Sequence, residues 1–216
     1  MKKIIISLLL ILLIFLAVFP RSVELFNKNY IFLFDQGRDL LDVKNIVVNH
    51  KFTLIGAEIG SGSAGFSYIF QGPGYYYLLA IPFLLFRGDP YGTIVLMWFL
   101  SIVVIIIGFF LGKKIFSNSL FGIIAALLIA ASPPLIAQAR FAWAPYPTTI
   151  FIMLSFLFTF LAQKRPLFLF LAAFFAGITY NFEFAVAVPL SLSLLIFTIL
   201  VLRACLKSEP QFARVR

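Results

Sequence analysis

The chain has 216 residues, 62% of them hydrophobic, and a mean hydropathy of +1.07, which excludes a soluble globular domain. Its formal net charge is +9, yet the basic residues are scattered beside apolar runs without a concentrated face, which excludes nucleic acid as a partner. The single cysteine, Cys205, excludes an intramolecular disulfide and a multi-cysteine metal site; at the end of an apolar run it reads as a buried or lipid-facing thiol.

Lys2-Lys3 lead into the uncharged run Ile4–Phe19, which has no small-residue cleavage site before Pro20. It reads as an uncleaved first transmembrane helix within residues 1–20. Residues 21–90 then leave the apolar regime and read as a large extracytoplasmic loop. Further spans are predicted at 91–112, 119–138, 147–162, 166–181 and 184–203, and residues 204–216 form a polar cytoplasmic tail. In lipid the backbone must satisfy its own hydrogen bonds, so the spans are helices. The expectation is an all-α, polytopic helical membrane protein with about six transmembrane helices and interfacial helices in its first loop.

Charge decides the status of the apolar segment 75–86, which is short for a span and contains Pro82. Read as re-entrant or interfacial, it leaves Lys2-Lys3, Lys113-Lys114, Lys164-Arg165, Arg203, Lys207, Arg214 and Arg216 on one side with Glu209 alone against them. The whole net charge of +9 then lies inside, as the positive-inside rule asks. Localisation in the cell membrane follows, multi-pass, with both termini cytoplasmic.

Within the loop, Asp35 to Val47 reads as a helix along the membrane surface. Leu40, Val43 and Val47 make an apolar stripe, and Asp35, Asp39 and Asp42 share another face. Asp35 suits the helix N-cap. Asp39 and Asp42 read as solvated surface charges beside Arg38 and Lys44, while the Arg38 fork suits phosphate oxygens. Gly60, Gly62 and Gly65 match GxGxxG formally, but with no βαβ unit around them they read as a flexible loop. His50, the only histidine, reads as a loop hydrogen-bonding residue.

Gln71-Gly-Pro-Gly-Tyr75-Tyr76-Tyr77 returns the chain to the membrane. Its tyrosines suit either an interfacial belt or a groove for a lipid-linked substrate. Ser132-Pro133-Pro134 should kink or end the third span. Arg140-Phe-Ala-Trp143-Ala-Pro145 forms an aromatic outer turn, and Glu183 lies beside a span, where an ionisable group is costly and often functional, or else reaches water at the boundary.

Three features, in this order on the expected outer face, carry a family resemblance: Phe34-Asp35-Gln36-Gly-Arg38-Asp39 with Leu54-Ile-Gly56; Gly72-Pro73-Gly74-Tyr75-Tyr76-Tyr77 running to Gly88-Asp89-Pro90; and Ala139-Arg140-Phe-Ala-Trp143. From the first span to about Leu200 the chain resembles the N-terminal portion of C-superfamily membrane glycosyltransferases, nearest the protein O-mannosyltransferase and lipid A aminoarabinose transferase-like families. The resemblance implies transfer of a sugar from a polyprenyl-phosphate carrier to a lipid, glycan or protein acceptor, with Asp35 as general base or, where the family uses metal, as a group that helps bind it. It implies a substrate-binding set of Arg38, Asp39, Tyr75, Tyr76 and Arg140, the arginines being candidates for the lipid phosphate.

Two departures bear on cofactors. Gln36 stands where many relatives have a second acid, and the second outer loop has no carboxylate, so no metal is expected; a divalent ion lacks support. Family members usually continue beyond six spans, so the chain reads as a possible truncation product. The alternatives are a transporter or flippase module, which nearly charge-free spans and the absence of an internal repeat disfavour, and a non-catalytic membrane fragment.

Overall fold

The computed structural model describes residues 2–28, 30–59 and 69–212, with side chains described from residue 4 to 203 except Glu24. The GxGxxG match and the Cys205 thiol therefore lie outside the described residues. Nine helices are seen among them: α1 (Lys2–Phe26), α2 (Phe34–Val47), α3 (Gly74–Leu85), α4 (Tyr91–Ile115), α5 (Ser119–Ala131), α6 (Pro133–Gln138), α7 (Pro145–Leu161), α8 (Phe168–Phe182) and α9 (Phe184–Phe212). Outside the helices, the described residues show an isolated antiparallel bridge between Glu58 and Phe70, which folds the loop back toward α3.

Among the described residues, three helices are long and apolar enough to cross a bilayer: Ile4–Val23 in α1, Tyr91–Ile115, and Phe184–Arg203 in α9. They mark the chain as an all-helical membrane protein. Their outward faces fit that setting: Ile4, Leu8, Ile11 and Phe15 on α1 recur at helical spacing and are all more than half exposed. Apolar surface on that scale is unfavourable in water and natural against lipid. The remaining apolar helices, α3, α5, α7 and α8, are shorter.

The bundle is built on the pairs α4–α5 and α7–α8, joined through α4 and α7, with α1 against α5 and α9 against α7 and α8. Small residues let α4 and α5 approach closely: a Cβ on Gly112 would sit 2.8 Å from the Ala125 Cβ, and one on Gly122 would sit 2.7 Å from the Phe109 carbonyl oxygen. Tight van der Waals contact of this kind is what associates helices when both solvent and side chains are apolar.

Prolines set the breaks. The expected span 119–138 is divided into α5 and α6 at Ser132, as Pro133 and Pro134 suggested. Pro20, by contrast, lies inside α1, which continues to Phe26. The loop therefore starts later than residue 21, and Arg21 is a fully buried helical residue. The reason is specific. The carbonyls of Leu16, Ile129 and Ala130 stand four residues before Pro20, Pro133 and Pro134, which have no N–H to donate. Arg21 supplies donors there: its Nη1 donates to Leu16 O and Ala130 O, both at 2.9 Å, and its Nη2 adds a bond of 3.3 Å to Ile129 O, which also accepts from the Ser132 N–H. One guanidinium thus serves the carbonyls that Pro20 and Pro134 leave without a helical donor and ties α1 to the α5–α6 break.

Candidate functional site

The helix α2 begins one residue before Asp35, and its entry differs from expectation. Asp35 lies in the first turn and is not the cap. Gln36 reaches back instead, its Oε1 accepting from the Leu33 N–H at 2.9 Å, while its Nε2 donates to the Ala142 carbonyl at 2.9 Å. A buried amide with both ends used is well satisfied. It also fastens α2 to the turn before α7.

That fastening rotates α2. Its buried face is Gln36, Asp39, Val43 and Ile46, whereas Leu40 and Val47 of the expected stripe are only partly buried. Asp39 is consequently not a solvated surface charge: it is 3% exposed. Its neutralisation comes from Arg38, whose Nε and Nη2 both donate to Asp39 Oδ1, at 3.0 and 2.7 Å. The Nη1 of the same guanidinium donates to Asp35 Oδ1 at 3.0 Å, and the Asp35 side chain is half exposed. Burial raises the Asp39 carboxyl above the ordinary aspartate value, with the Arg38 hydrogen bond and charge pulling the other way. Burial also works against the Arg38 charge, but the hydrogen bond to Asp39 and the charges of both aspartates outweigh it, and its pKa is raised.

Opposite α2 stand the first residues of α3. Tyr75 and Tyr76 are both buried, and burial, then the Asp39 charge, raises the pKa of each phenol. The Tyr75 hydroxyl has no hydrogen-bond partner among the described residues. The Gly-Pro-Gly approach explains how α3 arrives there. A Cβ on Gly72 would lie 2.7 Å from the Asn181 backbone, and one on Gly74 2.6 Å from the Asn181 Oδ1. Only glycine lets the return strand press so closely on the end of α8.

The close approach delivers Gln71 to Glu183. A single extended residue, Glu183, separates α8 from α9, and its Oε1 accepts from Gln71 Nε2 at 3.2 Å. Burial raises the Glu183 carboxyl, while the hydrogen bonds from Gln71 and from the Ala185 backbone oppose that rise. Arg38, Asp39, Tyr75 and Tyr76 line one cavity with Gln71 and Glu183, and Trp143 closes its side. The cavity holds about 40 Å³, room for a hydroxymethyl-sized group or a few waters and too little for a sugar ring.

Of the six site residues the sequence suggested, the structure gathers Arg38, Asp39, Tyr75 and Tyr76 around that cavity. Asp35 sits outside it, on the far side of Arg38. Arg140 is turned elsewhere: its Nη2 donates to the Pro20 carbonyl at 2.8 Å, beside Arg21. The roles of Gln36 and Gln71 escaped the sequence reading. Their signals were present in Gln36, standing in place of an expected acid, and in the paired glycines immediately after Gln71. Among the described residues no group of three or more His, Cys, Asp or Glu side chains could hold a metal ion.

These features define a helical membrane protein with an acidic and aromatic cavity at the ends of its apolar helices. No family model, curated protein or solved structure matches the chain.

Proposed function

We propose that the chain is a glycosyltransferase, or the catalytic front portion of one, acting on a polyprenyl-phosphate-linked sugar at the extracytoplasmic face of the cell membrane. The observation that carries the reading is the union of Arg38 and Asp39 with two buried tyrosines at one cavity, with Asp35 held on Arg38 just outside it and helices apolar enough for lipid adjoining. In the proposed topology six spans cross the membrane, α3 is re-entrant or interfacial, and both termini are cytoplasmic.

In the transfer step the acceptor oxygen bonds to the anomeric carbon as the anomeric carbon–phosphate oxygen bond breaks, and the electron pair leaves with the lipid phosphate. The acceptor proton goes to Asp35, the carboxylate of the cluster most open to an incoming hydroxyl. Arg38 holds Asp35 and Asp39 at once and offers guanidinium N–H groups to the departing phosphate. Tyr75 and Tyr76 wall the cavity that receives one arm of the sugar.

The test is transfer of radiolabelled sugar from an undecaprenyl-phosphate-linked hexose into membrane acceptors. Asp35→Asn should lower the rate at least about 100-fold while leaving donor retention intact. Transfer by the variant within about twofold of the parent would remove Asp35 from its role. Failure of the parent chain to retain donor would sink the whole reading.

A further inference from the structure

A second cavity lies at the other ends of the same helices. It holds about 380 Å³ and is lined by Lys113 and Lys114 at the end of α4, Ser117 and Ser119 around the start of α5, and Gln163 and Lys164 beyond α7. Phe160 and Leu161 supply its apolar wall. Among the described residues no acidic one is in its lining. In the sequence these lysines are scattered beside apolar runs, but the α4–α5 and α4–α7 contacts bring the two groups together from 50 residues apart.

We infer that this cavity is a binding site for the phosphodiester headgroup of an anionic phospholipid. Three ammonium groups and two serine hydroxyls offer the donors that phosphate oxygens accept, and three like charges around one hollow repel one another until an anion enters. The volume falls in the range of small-ligand sites. The depth fits a lipid: α4 has 25 residues, a rise of about 37 Å, against a hydrocarbon core of about 30 Å. Its lysine end therefore reaches the phosphate level of one leaflet. Beside the cavity Phe116, Leu120 and Phe121 are exposed, an apolar flank for the acyl chains. Lys113 also lies 5.9 Å from the Phe109 ring centroid, which holds its charge near the bundle. Basic hollows between membrane helices are suited to such headgroups.

The experiment uses the purified full chain in neutral detergent and native mass spectrometry with phosphatidylglycerol, phosphatidylcholine or inorganic phosphate. The parent chain and Arg165→Gln, a charge change in the same loop but outside the lining, should retain phosphatidylglycerol at least about fivefold over phosphatidylcholine, about 1 kcal/mol of preference. Lys113→Gln/Lys114→Gln/Lys164→Gln should lose that preference with unchanged helicity and elution, and Lys164→Gln alone should fall between. Equal retention of the two lipids by the parent chain, or an undiminished preference in the triple variant, overturns the site. Inorganic phosphate binding as well as phosphatidylglycerol assigns the cavity to a soluble anion and overturns the lipid.

Discussion

The two ends of the α4–α7 pair carry opposite chemistry in opposite states. At one end carboxyl groups from α2 and the α8–α9 junction are drawn into a cavity of about 40 Å³, each with a specific hydrogen-bond partner. At the other, three lysines stand exposed around about 380 Å³. Buried ionisable groups cost free energy unless paired, so the acidic end must be held by a network, whereas the basic end needs only proximity. A closed, networked cavity is suited to chemistry on a small group; an open one ringed by exposed ammonium groups is suited to a diffusing counter-charge.

The comparison predicts that substitutions at the acidic end act on the fold and those at the basic end do not. The largest effect is expected for Arg21→Leu, which takes the guanidinium donor from two buried carbonyls, Leu16 and Ala130, that Pro20 and Pro134 cannot serve. A loss of about 3 kcal/mol or more should appear as a collapse of thermal stability in detergent. Melting within about 2 °C of the parent, a shift worth no more than about 1 kcal/mol in a domain of this size, would show the network to be ornamental. Next comes Arg38→Gln, which strands the buried Asp39 carboxyl. With the arginine a third exposed, screening limits the loss to about 1–3 kcal/mol. Adding Asp39→Asn should recover most of it, and a double variant as unstable as the single would break the pairing argument.

Gly74→Ala should cost about 1–2 kcal/mol by overpacking against Asn181, and it should part Gln71 from Glu183. A crosslink between cysteines placed at those two positions would report the separation. Smaller still is the pH effect of Glu183. Its folded pKa is raised, so its contribution to stability is fully present below the ordinary glutamate value and is lost as pH rises through the raised one. Melting temperatures from about pH 4 to pH 8 should fall less steeply in Glu183→Gln than in the parent. An unchanged slope would place the buried titration elsewhere, with Asp39 the next candidate. Smallest of all, glutamine at Lys113, Lys114 and Lys164 should leave lipid-free melting unchanged, since exposed lysines away from a network contribute little.

Much of this molecule was legible in composition and local pattern. The uncharged runs of α1, α4 and α9 announced membrane helices because hydropathy over about 20 residues is a local property. The helix at Asp35 and the break at Ser132-Pro133-Pro134 were equally local, following from periodicity and a missing N–H. Pro20 shows the limit of that logic: the same residue type did not end α1, because Arg21 and a distant helix break satisfied each other's needs.

What the tertiary structure alone decided is which polar groups are buried and with whom. Asp35, Asp39 and Asp42 are indistinguishable by type, yet the Gln36–Ala142 bond turns α2 so that Asp39 faces inward and Asp35 outward. Gln71 and Glu183 are 112 positions apart, and Lys113 and Lys164 meet only because α4 lies against α7. The apolar helices and their breaks were determined by the sequence itself, since each follows from bonds and transfer energies within a few turns. The cavities were not, because a cavity is set by which helix faces meet, and that choice belongs to packing across the whole bundle.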